Sequence, residues 1–204
     1  MSMLTSTPIV RNAVRVFSRH RNRESRHCVL HQIPKHSVCA EIGVYKGDFS
    51  ELILECEPKK LHLIDPWKFE PDSAYASSWY GGPVGKNQVK MDTIYKSVVS
   101  RFRSAIRSGI VEVHRNTSAG CCSQFPDNYF DWIYIDGNHR YEFVKLDLEM
   151  FLPKLKLHGL VAGDDYGSPG WWQDGVTKAV DEAIASGRFD KLRVENHQFL
   201  LRKL

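Results

Sequence analysis

The sequence predicts an α/β domain: one mostly parallel sheet with helices on both faces. Three observations point there. From residue 37 onward, short β-rich apolar runs alternate with longer helical patterns, which is the signature of a parallel sheet. One run, Trp132-Ile133-Tyr134-Ile135, is apolar without a break, as a strand covered on both faces must be. The last two runs are separated only by residues 196–198, too few for a helical crossover, so they must pair antiparallel.

The elements follow in order. Strands are expected at 37–42, 60–64, 110–114, 131–135 and 159–162. Helices are expected between them at 49–56, 91–108 and 141–155. A further helix at 176–185 precedes the final runs, 191–195 and 199–202. The expected whole is a Rossmann-like seven-stranded sheet, five parallel strands closed by a C-terminal antiparallel hairpin. Right-handed crossovers bring the strand C-termini to one edge, and ligands of such sheets bind along it. Residues 66–90 fit neither pattern and hold Trp67, Trp79, Tyr80, Gly81, Gly82, Pro83 and Gly85. A long irregular insert of this kind reads as a lid over the binding edge.

Composition narrows the class. A chain of 204 residues suits one domain. Hydrophobic residues make up 42% and charged residues 25%, which excludes a disordered chain. No apolar run approaches the roughly 20 residues that span a bilayer. Residues 1–8 lack an apolar signal core, so the expected location is the cytoplasm. Cys28, Cys39, Cys56, Cys121 and Cys122 make no paired C-x-x-C arrangement, so a cysteine zinc site is not expected. They fit small buried thiols in a reducing compartment. The net charge of +4 resides in an N-terminal arm, where residues 1–36 hold seven Lys or Arg against one acid. Such an arm could meet nucleic acid, acidic lipid or a partner subunit. A solvated helix at 9–19, with Val10, Val14 and Phe17 as its packed stripe, explains it more simply. No nucleic-acid partner is expected, and a homo-oligomer is. The domain proper is 37–204.

Polar residues at the strand ends carry the chemistry. The first strand runs into Glu41-Ile42-Gly43-Val44-Tyr45-Lys46-Gly47 and then Asp48-Phe49-Ser50. The glycines permit a sharp turn and close approach of a ligand. Their spacing is not the G-x-G-x-x-G that seats a pyrophosphate on a helix N-terminus. An acid beside them suits a cofactor that lacks phosphate and carries a sulfonium and an amine, as S-adenosylmethionine does. Glu41, Gly43, Gly47 and Ser50 are its candidate partners. The second strand ends at Asp65, about twenty residues further on, where an acid can accept both ribose hydroxyls. A turn Asp before Pro66 is the other reading. The third strand leads into Asn116-Thr117-Ser118, and Ser118 is a candidate for the adenine and equally a helix cap.

The fourth strand continues into Asp136-Gly137-Asn138-His139, and the fifth into Gly163-Asp164-Asp165-Tyr166. If these strands are neighbours, Asp136, Asp164 and Asp165 converge. Three carboxylates in one pocket repel unless protonated or neutralised. A divalent cation resolves the conflict, and an all-oxygen shell points to Mg2+, Mn2+ or Ca2+. Asp136 also falls at the cofactor's edge.

Taken together, Glu41-x-Gly43-x-x-x-Gly47, Asp65, Ile135-Asp136-Gly137-Asn138-His139 and Gly163-Asp164-Asp165-Tyr166 resemble the metal-dependent O-methyltransferases of the macrocin O-methyltransferase type. Those enzymes methylate sugar hydroxyls on natural products. Catechol O-methyltransferase is a more distant likeness. The resemblance covers 37–204, and a five-plus-hairpin sheet is the layout of class I methyltransferases. It implies S-adenosylmethionine along the glycine turn and Asp65. It also implies a metal, Mg2+ or Mn2+, held by Asp136, Asp164 and Asp165, and His139 as the base. A cation on the acceptor oxygen would lower its pKa, and His139, with an ordinary pKa near neutrality, would take the proton. Trp79, Tyr80, Trp171 and Trp172 would flank a sugar acceptor, unless they pack the core or a subunit interface. The rival readings are a catechol or phenol acceptor, a nicotinamide-dependent oxidoreductase, which the glycine spacing disfavours, and a non-catalytic binding protein acting through its basic arm.

Overall fold

Parallel pairing requires strands covered on both faces, and the burial pattern delivers it. The computed structural model describes Glu24 and residues 26–204. The helix expected at 9–19 and most of the basic arm lie outside the described residues. The strands are β1 (Val38–Ile42), β2 (Lys60–Ile64), β3 (Val111–His114), β4 (Phe130–Ile135), β5 (Leu155–Gly163), β6 (Phe189–Glu195) and β7 (Gln198–Lys203). They form one sheet of order β3-β2-β1-β4-β5-β7-β6. The first five are mutually parallel, and β7 runs antiparallel to both β5 and β6. The expected layout, five parallel strands and a hairpin, is therefore the observed one.

Side chains alternate across each strand, and two cores result. Ala40, Ile42, Ile133, Ile135 and Val161 face one side. There they meet α6 (Ser118–Cys122), α7 (Tyr141–Phe151) and α8 (Gly175–Ala185). Cys39, Leu61, Leu63, Trp132 and Tyr134 face the other. That side is covered by α1 (His27–Leu30), α2 (Asp48–Glu55) and α4 (Gln88–Arg101). Two short helices, α3 (Gly82–Gly85) and α5 (Arg103–Arg107), complete the described set. All five cysteines are free, four of them buried.

Four expectations need correction. The helix expected at 91–108 is two, broken at Phe102, whose ring turns into the core. The helix expected at 141–155 stops at Phe151. Pro153 cannot continue it, and Leu155 already opens β5. The final hairpin turn is only Asn196 and His197, both at positive φ, as a tight two-residue turn demands. The insert at 66–90 is not structureless: it holds a 3-10 turn, Ser73–Tyr75, then α3 and the start of α4.

Candidate active site

The sheet order reverses between β1 and β4, so a crevice opens at their C-terminal ends. Gly43 leaves β1 with φ 91°, and Asp136 N donates to Ile42 O across the same edge. A Cβ on Gly43 would lie 2.0 Å from the Asp136 carbonyl oxygen. The glycine is demanded by the chain's own packing, before any ligand is considered. Gly47 caps α2 at φ 75°, and a Cβ there would meet the Phe102 ring at 2.8 Å.

Glu41 and Ser50 lie beneath this turn and are both fully buried. The Ser50 hydroxyl donates to Glu41 Oε2. Burial pushes the Glu41 carboxyl well above its usual range, against the Ser50 bond. Asp65, at the end of β2, is fully buried too. Its Oδ2 accepts from Val44 N and Tyr45 N at 2.9 and 2.8 Å, and its Oδ1 from Trp67 N at 2.6 Å. The Tyr80 hydroxyl, from the insert, donates to the same Oδ2. Asp65 thus ties the glycine turn to the insert and has no oxygen facing open space. Ser118 gives its hydroxyl to buried Asp147. The N-cap of α6 is Thr117, which accepts from Gly120 N.

The β4 and β5 ends do converge. Arg26 Nη2 lies 2.8 Å from Asp136 Oδ2 and 2.5 Å from Asp164 Oδ2. Its Nε donates to the Tyr134 hydroxyl at 2.7 Å, and its guanidinium lies over the Phe49 ring. Gln198 Nε2 donates to Asp164 Oδ1, and Tyr134 donates to Gln198 Oε1. Asp165, at φ 63°, donates its backbone N–H to Asp164 Oδ1 at 2.8 Å. Its Oδ2 lies 2.9 Å from His139 Nδ1, while His139 Nε2 lies 3.2 Å from Asp136 Oδ1. The charges are therefore interleaved: three acids, one guanidinium and one imidazole.

Electrostatics follow from this interleaving. Burial alone would lower His139, but its bonds to Asp136 and Asp165 outweigh that and lift it to about 10. In this arrangement His139 is a cation at neutral pH, not the near-neutral base expected from its ordinary pKa. Burial and repulsion from Asp136 raise Asp164 to about 6. Burial also acts to raise Asp136, yet His139 and Arg26 hold it below its usual value.

The donor chemistry fits a divalent cation: Asp136 and Asp164 already share one positive group, the Arg26 guanidinium. Among the described residues, however, Asp136, Asp164 and Asp165 do not bring one oxygen each within 4.8 Å of the others. The expected trio is a pair plus a third acid held by His139.

Around these groups stand aromatic rings. Trp172 meets His139 edge to face at 4.7 Å, Trp171 meets Tyr75 at 5.2 Å, and Asn138 Nδ2 donates to the Tyr75 hydroxyl at 2.9 Å. Trp172 Nε1 is buried and lacks a hydrogen-bond partner among the described residues. Trp79 is 62% exposed and stands apart, against Tyr45. Arg26, Tyr134 and Gln198 were not singled out by sequence reasoning. Arg26 lay in the arm as one charge among seven, with no periodicity to mark it.

No curated protein sequence matches the chain. Solved structures do match in fold. An O-methyltransferase from Bacillus cereus in complex with SAH is 14% identical, with TM-score 0.59 over 91% of this chain and 80% of that one. TomG from Streptomyces achromogenes, an O-methyltransferase involved in tomaymycin synthesis and solved with SAM, is 14% identical, with TM-score 0.58 over 91% and 79%. A Corynebacterium glutamicum protein matches at 14% identity and TM-score 0.58 over 98% and 92%. The sequence itself matches a family model described as a methyltransferase domain over residues 40–166, more than half of its length. The chain belongs to this methyltransferase domain family and has the class I, Rossmann-like fold of S-adenosylmethionine-dependent methyltransferases.

Proposed function

We propose that this protein transfers a methyl group from S-adenosylmethionine to a hydroxyl of a sugar or sugar-containing small molecule, with help from a divalent metal, Mg2+ or Mn2+. The observation that carries the reading is the pair Asp136 and Asp164 bridged by the Arg26 guanidinium, flanked by His139 and by a Trp172 N–H that has no partner among the described residues. S-adenosylmethionine would supply a methyl already activated by its sulfonium. A metal would supply acidification of the acceptor hydroxyl.

The chain's own residues do the rest. Glu41, Gly43, Gly47, Ser50, Asp65 and Ser118 would form the cofactor side, with Asp136 at its edge. Ribose hydroxyls would need the Asp65 oxygen that Tyr80 now engages. Asp136, Asp164 and Asp165 would hold the metal, and Arg26 would give up its bonds to the first two. His139 would then lose part of the negative field that keeps it protonated, release that proton to solvent, and as the neutral imidazole take the acceptor's proton. Trp172 Nε1 would donate to an acceptor oxygen, and Trp171 and Tyr75 would line the ring's faces. Holding the reactants aligned contributes on the order of 7–11 kcal/mol.

The same aromatic wall suits a phenol ring, and a catechol or phenol acceptor is the second reading. The acting domain would be 37–204 with Arg26 and α1 packed onto it, a small-molecule enzyme that would work in the cytoplasm. No helix among the described residues is long and apolar enough to cross a membrane. A panel of glycosides, catechols and simple phenols, assayed for labelled methyl from S-adenosylmethionine, tests the proposal. Label in glycosides supports it, and label only in phenols moves the assignment to the second reading.

A further inference from the structure

Strands β2 and β3 carry a second constellation that methyl transfer does not use. In their parallel register His62 lies opposite Glu112 and Ile64 opposite His114. Alternation therefore puts His62, Glu112 and His114 on one face. His62 Nδ1 is 2.9 Å from His114 Nε2, and His114 Nε2 is 3.7 Å from Glu112 Oε1. One donor atom from each of the three lies within 4.8 Å of the other two. A tetrahedral zinc ion with bonds of about 2.0–2.2 Å holds its donors roughly 3.3–3.6 Å apart. The observed separations lie on either side of that value. We propose that His62, Glu112 and His114 bind one divalent transition metal of the zinc type, leaving a fourth position to solvent.

The surroundings are those of a ligand set. Two imidazoles and one carboxylate suit zinc and its neighbours rather than Mg2+ or Ca2+. His62 Nε2 lies 3.0 Å from the Tyr129 hydroxyl. With the proton on Nε2 and donated to that oxygen, Nδ1 presents its lone pair to the site, the arrangement metal-bound histidines use. The rings of Phe125, Tyr129 and Phe130 pack on His62 within 5.6 Å and fix its plane. His62 is 3% exposed, whereas the Glu112 side chain is half exposed, so the site is dry behind and open in front. Burial also favours the neutral, ligating form of both imidazoles.

Lys60 sets the limit on affinity. Its Nζ lies 2.8 Å from Glu112 Oε2, which leaves Oε1 toward the imidazoles. The ammonium repels a cation, so binding is weaker than in a site without it. The structural consequence is a clip: among the described residues β3 is the outer strand of the sheet and pairs with β2 alone. An ion shared by β2 and β3 would pin that edge and the turn that follows His114. This proposal stands independently of the methyl-transfer reading.

Titration of the full chain with Co2+, followed by visible absorption, and with Zn2+, followed by calorimetry, tests the site. Expected are tetrahedral Co2+ bands, one Zn2+ equivalent that depends on Glu112, and a Zn2+-induced rise in melting temperature that Glu112→Gln removes. Glu112→Gln and His114→Gln should each weaken that equivalent about tenfold or more, with unchanged circular dichroism. Asp136→Asn should leave it in place. If His114→Gln fails to fold, the half-exposed Glu112→Gln decides alone. No saturable Zn2+ binding, or binding that survives Glu112→Gln intact, overturns the proposal.

Discussion

Arg26 Nη2 sits 2.8 Å from Asp136 Oδ2, an ion pair between residues 110 apart in sequence. The same nitrogen reaches Asp164, so one guanidinium neutralises the ends of β4 and β5 together. Removing one partner of a buried charge pair leaves the others uncompensated. Arg26→Ala should cost about 3–5 kcal/mol of stability without metal. Mn2+ should return part of that loss, because it would replace the missing cation. Urea denaturation with and without Mn2+ measures both effects. Equal stability of variant and parent would mean that the guanidinium is not what holds the acids together.

Tyr80 and the cofactor's ribose would compete for Asp65 Oδ2. Tyr80→Phe should therefore tighten S-adenosylhomocysteine binding by about 0.5–1.5 kcal/mol, the net worth of an ordinary hydrogen bond. Asp65→Ala should weaken it by about 1.5–3 kcal/mol, as loss of bonds to a charged group does. Calorimetry reads both. Unchanged affinity in both variants would remove Asp65 from the cofactor side.

Asp147 should make stability depend on pH. Burial raises its carboxyl to about 7, against the bond from Ser118. The native state holds this proton more tightly than the unfolded chain, whose Asp titrates near 3.9. The contribution is therefore full below about pH 4, falls as pH rises toward 7, and is gone above it. Asp147→Asn keeps an acceptor for Ser118 and carries no charge. It should match the parent near pH 4 and exceed it at pH 8, by on the order of 2–4 kcal/mol. Denaturant midpoints at the two pH values check this, and a constant difference between them would contradict it.

Trp172 offers a test of acceptor binding. Its buried N–H has no partner among the described residues, and leaving such a donor unmade costs about 1–3 kcal/mol. Trp172→Phe removes the donor and keeps an aromatic ring beside His139. The acceptor KM should rise about fivefold or more, equivalent to one hydrogen bond. S-adenosylhomocysteine affinity should stay as it was. A KM that does not move would place the acceptor elsewhere.

The strands were legible because burial on both faces leaves an uninterrupted apolar run. The β2 bounds match the expectation to the residue, and β4 differs only by Phe130. The polar residue that follows each strand marked the binding edge for the same local reason. What stayed hidden depends on distant partners. Nothing near Arg26 in the sequence says that it meets Asp136, Asp164 and Tyr134. Likewise His139 looked like a base of ordinary pKa, and it takes its contacts with both Asp136 and Asp165 to show it held as a cation. Phe102 fell inside the helix expected at 91–108, yet its ring packs against Gly47, and the helix breaks there.

Methyl transfer to the best acceptor of the glycoside and phenol panel, measured in excess chelator and again after adding Mg2+ or Mn2+, bears most directly on the proposed mechanism. Chelation should abolish turnover and leave S-adenosylmethionine binding largely intact, since the proposed cofactor partners lie mainly on the β1, β2 and β3 side. Metal should restore the rate in the parent. In His139→Ala the restored rate should be lower by roughly 10²–10⁴-fold, the usual worth of a positioned base. Full activity from a demonstrably metal-free preparation would contradict the metal mechanism and leave alignment alone to account for the rate.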